Sequence, residues 1–295
     1  MANILASDIN TIRQKIADVL GTGATTFGYG QAVFSTPTTS GTIIRKTQWD
    51  AVRYDIVNSY IHQTGNIPSA ITVSTQDVIN DDASGAYQNY DYFADVLRNN
   101  RFDIATGQFA ISAIDTKTTS STWSTNASSE LTINFSSADE GRYFFNSGGA
   151  IRISCTLAGG TSSQANAWTN LLDAVGEQDF VGDLIASNGY YTLTDSYQTY
   201  FSRAASTPYS ANLYQLKAKC DVADNSAGTA QQVTVKIELS DSYVDLGAPA
   251  PGDLVDGTLT MVAEELKATG TLQPTGDPFT VAGPNSYSMS AISLT

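Results

Sequence analysis

The chain has 295 residues, of which 41% are hydrophobic and only 15% charged, with a formal net charge of −14. That length supplies one large domain or two ordinary ones with a sizeable core, and an aromatic content of 10%, with 15 tyrosines, excludes a disordered chain. Residues 153–295 hold 15 acidic and 5 basic side chains, against 14 and 10 over residues 1–152, and no basic block interrupts them; nucleic acid and anionic membrane surfaces are therefore excluded as partners.

In chain order, Ser7 is a candidate cap for a first helix whose apolar face is Ile9, Ile12, Ile16 and Val19, stopped by Gly21. Residues 21–42 are rich in Gly and Thr, contain Pro37, and read as an extended loop. Thr47 and Asp50 resemble a capping box, after which Trp49, Val52, Ile56 and Tyr60 share one helical face up to Gly65. A third helix is expected from Ala86 to Asn99, with Tyr87, Tyr90, Ala94 and Leu97 on one side. Leu131, Ile133 and Phe135 alternate with polar residues as on a half-buried strand, and so do Ile151, Ile153, Cys155 and Leu157.

Between those two strands, residues 136–154 read as a strand end, the aromatic run Tyr143-Phe144-Phe145, a reversal at Gly148-Gly149 and the next strand start, with one of the two glycines at positive φ. A helix follows, capped by Ser163, with Ala165, Trp168, Leu171, Leu172 and Val175 inward and Gly176 as its stop. Tyr191–Leu193 and Tyr197–Phe201 read as strands. Tyr214 to Val222 and Val233 to Leu239 form a long pair joined by a turn at 224–228. Leu259-Met261-Ala263 and Tyr287-Met289-Ala291 complete the set, and the Gly-Ala-Pro-Ala-Pro-Gly stretch at 247–252 reads as a loop or linker. The expected fold class is α+β: a helical, loop-rich docking region over 1–125, then a mostly antiparallel, β-sandwich-like region over 126–295 with one inserted helix.

The sequence offers little chemistry. His62 is the sole histidine, placed at a helix end without partners for a metal or a triad. Cys155 and Cys220 read as two buried thiols, with a disulfide as the alternative. Gly21-Thr22-Gly23 and Gly28-Tyr29-Gly30 lack the lysine and the strand–helix setting of a phosphate loop. Residues 80–85 lack calcium-loop spacing. Asp139-Glu140 and Glu264-Glu265 are adjacent pairs, which strand geometry sends to opposite faces. No catalytic, cofactor-binding or metal residue is assigned, and the chain is expected not to be an enzyme. The residues assigned to a candidate subunit interface are Trp49, Tyr87, Tyr90, Tyr92, Phe93, Tyr143, Phe144 and Phe145, because aromatic anchors dominate interfaces. The low charge points the same way, since desolvating fixed charge is costly. The N-terminus shows no signal peptide and no apolar run reaches membrane-helix length, so synthesis in a cytoplasm is expected.

Several segments carry a resemblance. They are Met1–Leu5, Asp8-Ile9-Asn10, Leu20–Gly23, Gly28-Tyr29-Gly30-Gln31, Trp49–Asp55, His62-Gln63-Thr64-Gly65, and Tyr143–Gly149 followed by Ile151 and Ile153. Together they resemble virion structural proteins of tailed phages, especially T4-like marine phages, over roughly the first half of the chain; beyond about residue 155 the resemblance ends. It implies a component of the virion, in the tail, neck or an attached fibre, whose partners are further copies of itself and other virion proteins. The alternative is a tail adhesin that binds a host receptor or glycan through exposed loops.

Overall fold

A computed structural model describes residues 6–68, 90–182, 189–243 and 254–295. Tyr87, the candidate calcium loop and the 247–252 stretch lie outside the described residues. The described chain has an α+β fold with five helices and two antiparallel sheets. It divides into two compact units that are not consecutive in sequence. The first comprises residues 1–110, 142–149 and 267–283; the second takes 111–141, 150–266 and 284–295. The expected boundary at 125/126 falls inside the second unit.

The first unit is built on α1 (Ala6–Leu20), α2 (Lys46–Thr64) and α3 (Tyr90–Asn99). Its core joins Ile9, Ile12 and Ile16 of α1 to Trp49, Val52, Ile56 and Val57 of α2 and Tyr90, Ala94 and Leu97 of α3. The spacing of those residues at three and four is what places them on one stripe per helix. Ser7 lies inside α1 and its hydroxyl donates to Asp8 at 3.2 Å, so it is not the cap. The start of α2 also differs from expectation: the backbone N–H of Arg45 donates to the Gln48 side chain at 2.7 Å, while Asp50 is held by Lys46 at 2.6 Å. Gly65 closes α2, donating to the Ile61 carbonyl at 2.7 Å.

The second half of α2 is buried nearly all round, and several of its polar side chains are spent on partners outside the helix. Asp55 accepts from the N–H groups of Phe34 and Ser35 at 2.8 and 2.9 Å. Asn58 pairs with the backbone of Gln273, donating at 3.0 Å and accepting at 2.7 Å. Gln63 donates to Leu97 and to the Tyr29 hydroxyl, both at 2.9 Å. In the same manner Gln31 holds both backbone groups of Thr280. These carboxamides act as surrogate strand partners and secure the returning segment 267–283 within this unit. Burial raises the Asp55 carboxyl above its ordinary value against the pull of its donors. Asp55→Ala leaves two N–H groups without their acceptor, one of them on buried Ser35, so the unfolding free energy should drop by about 2–4 kcal/mol in chemical denaturation. Asp55→Asn, which can satisfy only one donor, should fall between.

The second unit holds the sheets. Among the described residues ten strands run β1 (Phe109–Thr119), β2 (Asn126–Asn134), β3 (Ala150–Ala158), β4 (Gln178–Phe180), β5 (Gln198–Ala204), β6 (Leu213–Cys220), β7 (Gln232–Ser240), β8 (Thr258–Ala268), β9 (Ser286–Met289) and β10 (Ser293–Leu294), the ends of β1 and β8 belonging to the first unit. One sheet has the order β1-β8-β3-β4; the other has β10-β2-β7-β6-β5, with β9 also on β2. The apolar alternation sets the register: Leu131 and Ile133 pair with Val235 and Val233, and Cys155 with Met261. The sheets face each other through Cys155, whose sulfur lies 3.7 Å from the Tyr214 hydroxyl, and through Phe180 and Tyr200, whose rings are 5.1 Å apart. This is the inward-facing core of a sandwich. Both cysteines are free and buried, and burial pushes the Cys155 thiol up to about 12.

Four expectations are corrected in this part of the chain. Residues 138–146 are not a strand end but α4 (Ala138–Asn146). Ser137 accepts from the Glu140 N–H at 3.2 Å, and Glu140 reaches back to the Ser136 N–H at 3.1 Å. Those two bonds mark a helix start close to a capping box, and they override the strand-like look of the aromatic run. The helix after β3, α5 (Ser163–Val175), is capped by Ser162, whose hydroxyl accepts from Ala165 at 2.9 Å, rather than by Ser163. Residues 190–192 form a short 3-10 turn instead of a strand, and β9 stops at Met289, leaving Ala291 outside it. The reversal at 148–149 does carry a positive φ, at Gly148 (84°).

Candidate functional site

The sequence-assigned aromatic residues separate by burial. Trp49 packs on Tyr90 at a tilt, with ring centroids 5.0 Å apart, and both are interior to the first unit. Phe144 and Phe145 are also fully buried. Their area stabilises this chain's own core. Tyr143 is half-buried and lies under Gly30, where a Cβ would stand 2.5 Å from its ring. The Gly28-Tyr29-Gly30 segment is thus a close-packed loop against the end of α4, and Asn146 donates to the Gly28 carbonyl at 3.1 Å. Tyr92 and Phe93 behave differently. Phe93 packs on the edge of the helical core and contacts Tyr60 at 6.2 Å and Tyr92 at 5.8 Å. Tyr92 is 42% exposed. This run of three rings leads from the core to the surface. Beside it, Lys15 holds Asp91 at 2.8 Å and Asp95 at 2.7 Å, which neutralises part of the acidic face of α3.

His62 and the paired carboxylates are placed as follows. His62 is buried, with Nε2 2.9 Å from the Ser147 carbonyl and its ring stacked on Phe279 at 4.1 Å. Asp139 and Glu140 occupy the first turn of α4, where acidic groups favour the helix dipole. Glu264 stands opposite Arg152, whose guanidinium grips Asp179 at 2.8 and 3.0 Å and Glu177 at 2.9 Å. Among the described residues no group of three His, Cys, Asp or Glu side chains is arranged to hold a metal ion, and no helix is long and apolar enough to cross a membrane.

Sequence reasoning missed a cleft of about 570 Å³ in the second unit, between α5 and the turn that follows β5. Ser163, Asn166 and Asn170 line one wall from a single face of α5, at spacings of three and four. Arg203, Thr207 and Tyr209 form the other. The walls are tied together underneath. The buried Gln164 accepts from Asn212 at 3.0 Å and donates to Asp241 at 3.1 Å, and Trp168 donates to the same carboxylate at 3.3 Å. The turn is closed by Tyr209 donating to Ser206 and Asn212 donating to Tyr209, both at 2.9 Å. The one legible signal was the polar outer face of α5, opposite its apolar stripe.

No protein-family model, curated protein or solved structure matches this chain.

Proposed function

We propose that the chain is a non-enzymatic structural component of a tailed-phage virion, belonging to the tail, neck or an attached fibre and acting through subunit assembly. The resemblance of the first half supports the viral setting. The observation that carries the assembly reading is the Tyr60–Phe93–Tyr92 run, which continues the helical core out to an exposed ring. An aromatic anchor rooted in a packed core loses little entropy on docking, which suits a hot spot. The partners are further copies of the chain or other virion proteins, with no cofactor, nucleic acid or membrane.

The test is incorporation. Tyr92 is 42% exposed and its ring touches Phe93, so Tyr92→Lys should cost only about 1 kcal/mol of folding stability while weakening docking by about 2 kcal/mol, roughly thirtyfold. Quantified in purified particles made with the variant gene, the component should be depleted. Wild-type incorporation would remove the docking face from this surface. Absence of the wild-type chain from particles would remove the virion reading altogether.

A further inference from the structure

From the cleft beside α5 we infer that the second unit binds a saccharide bearing a carboxylate, such as a uronic acid. The chemistry of the walls selects this class. Asn166 and Asn170 are exposed carboxamides that make no side-chain hydrogen bond among the described residues, and each presents a donor and an acceptor together. Neighbouring hydroxyls on a sugar ring, each able to donate and accept, match such amides. Tyr209 supplies a half-buried ring, braced at a tilt of 59° against Tyr243 with centroids 4.7 Å apart, and the C–H face of a sugar can lie against it. Leu171 and the alanines of α5 form an apolar floor.

The charge in the cleft is the opposite of the charge on the molecule. The chain carries −14 overall, yet the lining has one charged residue, Arg203, and no carboxylate. One Nη of Arg203 donates to the Ala174 carbonyl at the end of the wall, which anchors the guanidinium and leaves its other N–H groups open. Arg is the side chain whose planar fork suits a carboxylate. The acidity of the rest of the chain is screened over about 8 Å at physiological salt, so the local cation decides the sign of the ligand. The cleft face of α5 from Ser163 to Ala174 is about 16 Å long, enough for more than one ring. The buried Gln164–Asn212–Asp241 network holds both walls before any ligand arrives, which lowers the ordering cost of binding.

The experiment uses the full chain, labelled with nitrogen-15, and follows the Asn166 and Asn170 side-chain amides by NMR during titration with methyl glucuronide, methyl glucoside and acetate. Saturable shifts at these amides with the glucuronide are expected, with a Kd of about 1 mM or tighter. The glucoside, which lacks the carboxylate, should bind about tenfold more weakly. Arg203→Gln should abolish that difference, and Asn170→Ala should weaken both sugars while leaving the melting temperature unchanged. Equal affinity for glucuronide and glucoside would overturn the role of Arg203. Shifts from acetate matching those from the glucuronide would reduce the cleft to an anion contact and overturn the saccharide assignment. No shift with either sugar would overturn the site. These readouts need no particle, so they stand or fall apart from assembly.

Discussion

Replacing Gly148 with valine is expected to lower the unfolding free energy of the protein by about 2–5 kcal/mol. The residue sits at φ +84°, directly after the helix α4, and its N–H donates to the Phe145 carbonyl at 3.2 Å. An L-side chain there bears a backbone penalty on the order of 1–2 kcal/mol before any contact is counted. Space adds to it: a Cβ would lie 2.6 Å from Ile104 Cγ1 and 2.9 Å from the Phe109 ring, well inside van der Waals distance. Relief of that overlap requires moving packed neighbours, which costs typically 1–3 kcal/mol. Alanine should therefore also destabilise, and valine more, because its two γ-methyls extend into the same space. Gly149 tests the packing part alone. Its φ is not in the left-handed region, but a Cβ would meet the Phe144 carbonyl at 2.6 Å. Gly149→Ala should thus cost less than Gly148→Ala. Urea denaturation of the three variants reads the order directly; a Gly148→Val protein within about 0.5 kcal/mol of the wild type would mean that the helix does not end in this turn.

The sheets were largely legible because burial on one face writes an alternation into the sequence. Leu131-Ile133, Ile151-Ile153-Cys155, Tyr214 to Cys220, Val233 to Leu239 and Leu259-Met261-Ala263 all became strands, with Phe135 and Val222 falling just past the strand ends. α1 was legible for the analogous reason at period 3.6. What failed was local competition. In 136–146 the aromatic run looked strand-like, yet Ser137-Ala138-Asp139-Glu140 was close to a capping box in plain view, and the side-chain bonds of Ser137 and Glu140 decided the outcome. β1 gave no signal because it is an edge strand with exposed residues on both faces, so its sequence need not alternate. The roles of Asn58 and Gln31 were beyond reach for a different reason. Their partners lie 215 and 249 residues away, and nothing in a carboxamide's local context reveals a distant backbone. The cleft shares that difficulty, since Asn170 and Arg203 meet only once α5 has docked against β5.

Acidification is expected to destabilise the first unit through His62, the chain's single histidine. Its ring is enclosed between Phe279, stacked at 4.1 Å and 15°, and the edge of Tyr29 at 5.1 Å. Nε2 donates to the Ser147 carbonyl at 2.9 Å, which leaves Nδ1 as the basic nitrogen, buried and without a partner. A proton arriving there places a charge in an apolar cage with no counter-ion. Burial therefore lowers the His62 pKa from an ordinary 6.5 to about 4, despite the opposing help of the Ser147 carbonyl. In the unfolded chain the imidazole titrates near its ordinary value. Between those two pKa values the unfolded state holds a proton that the folded state does not, so stability rises with pH in that window. The contribution is complete above about pH 6.5 and is lost progressively as pH falls toward 4, to a total of about 3 kcal/mol. His62→Gln keeps a donor for Ser147 but cannot titrate. Its unfolding free energy should be lower than the wild type's at pH 8, and the gap should narrow as the pH approaches 4.5. The carboxylates common to both proteins cancel in that difference. With one histidine the imidazole NMR signals are unambiguous, and they should show no titration in the folded protein above pH 5; a midpoint near 6.5 would place the ring in solvent and contradict the cage.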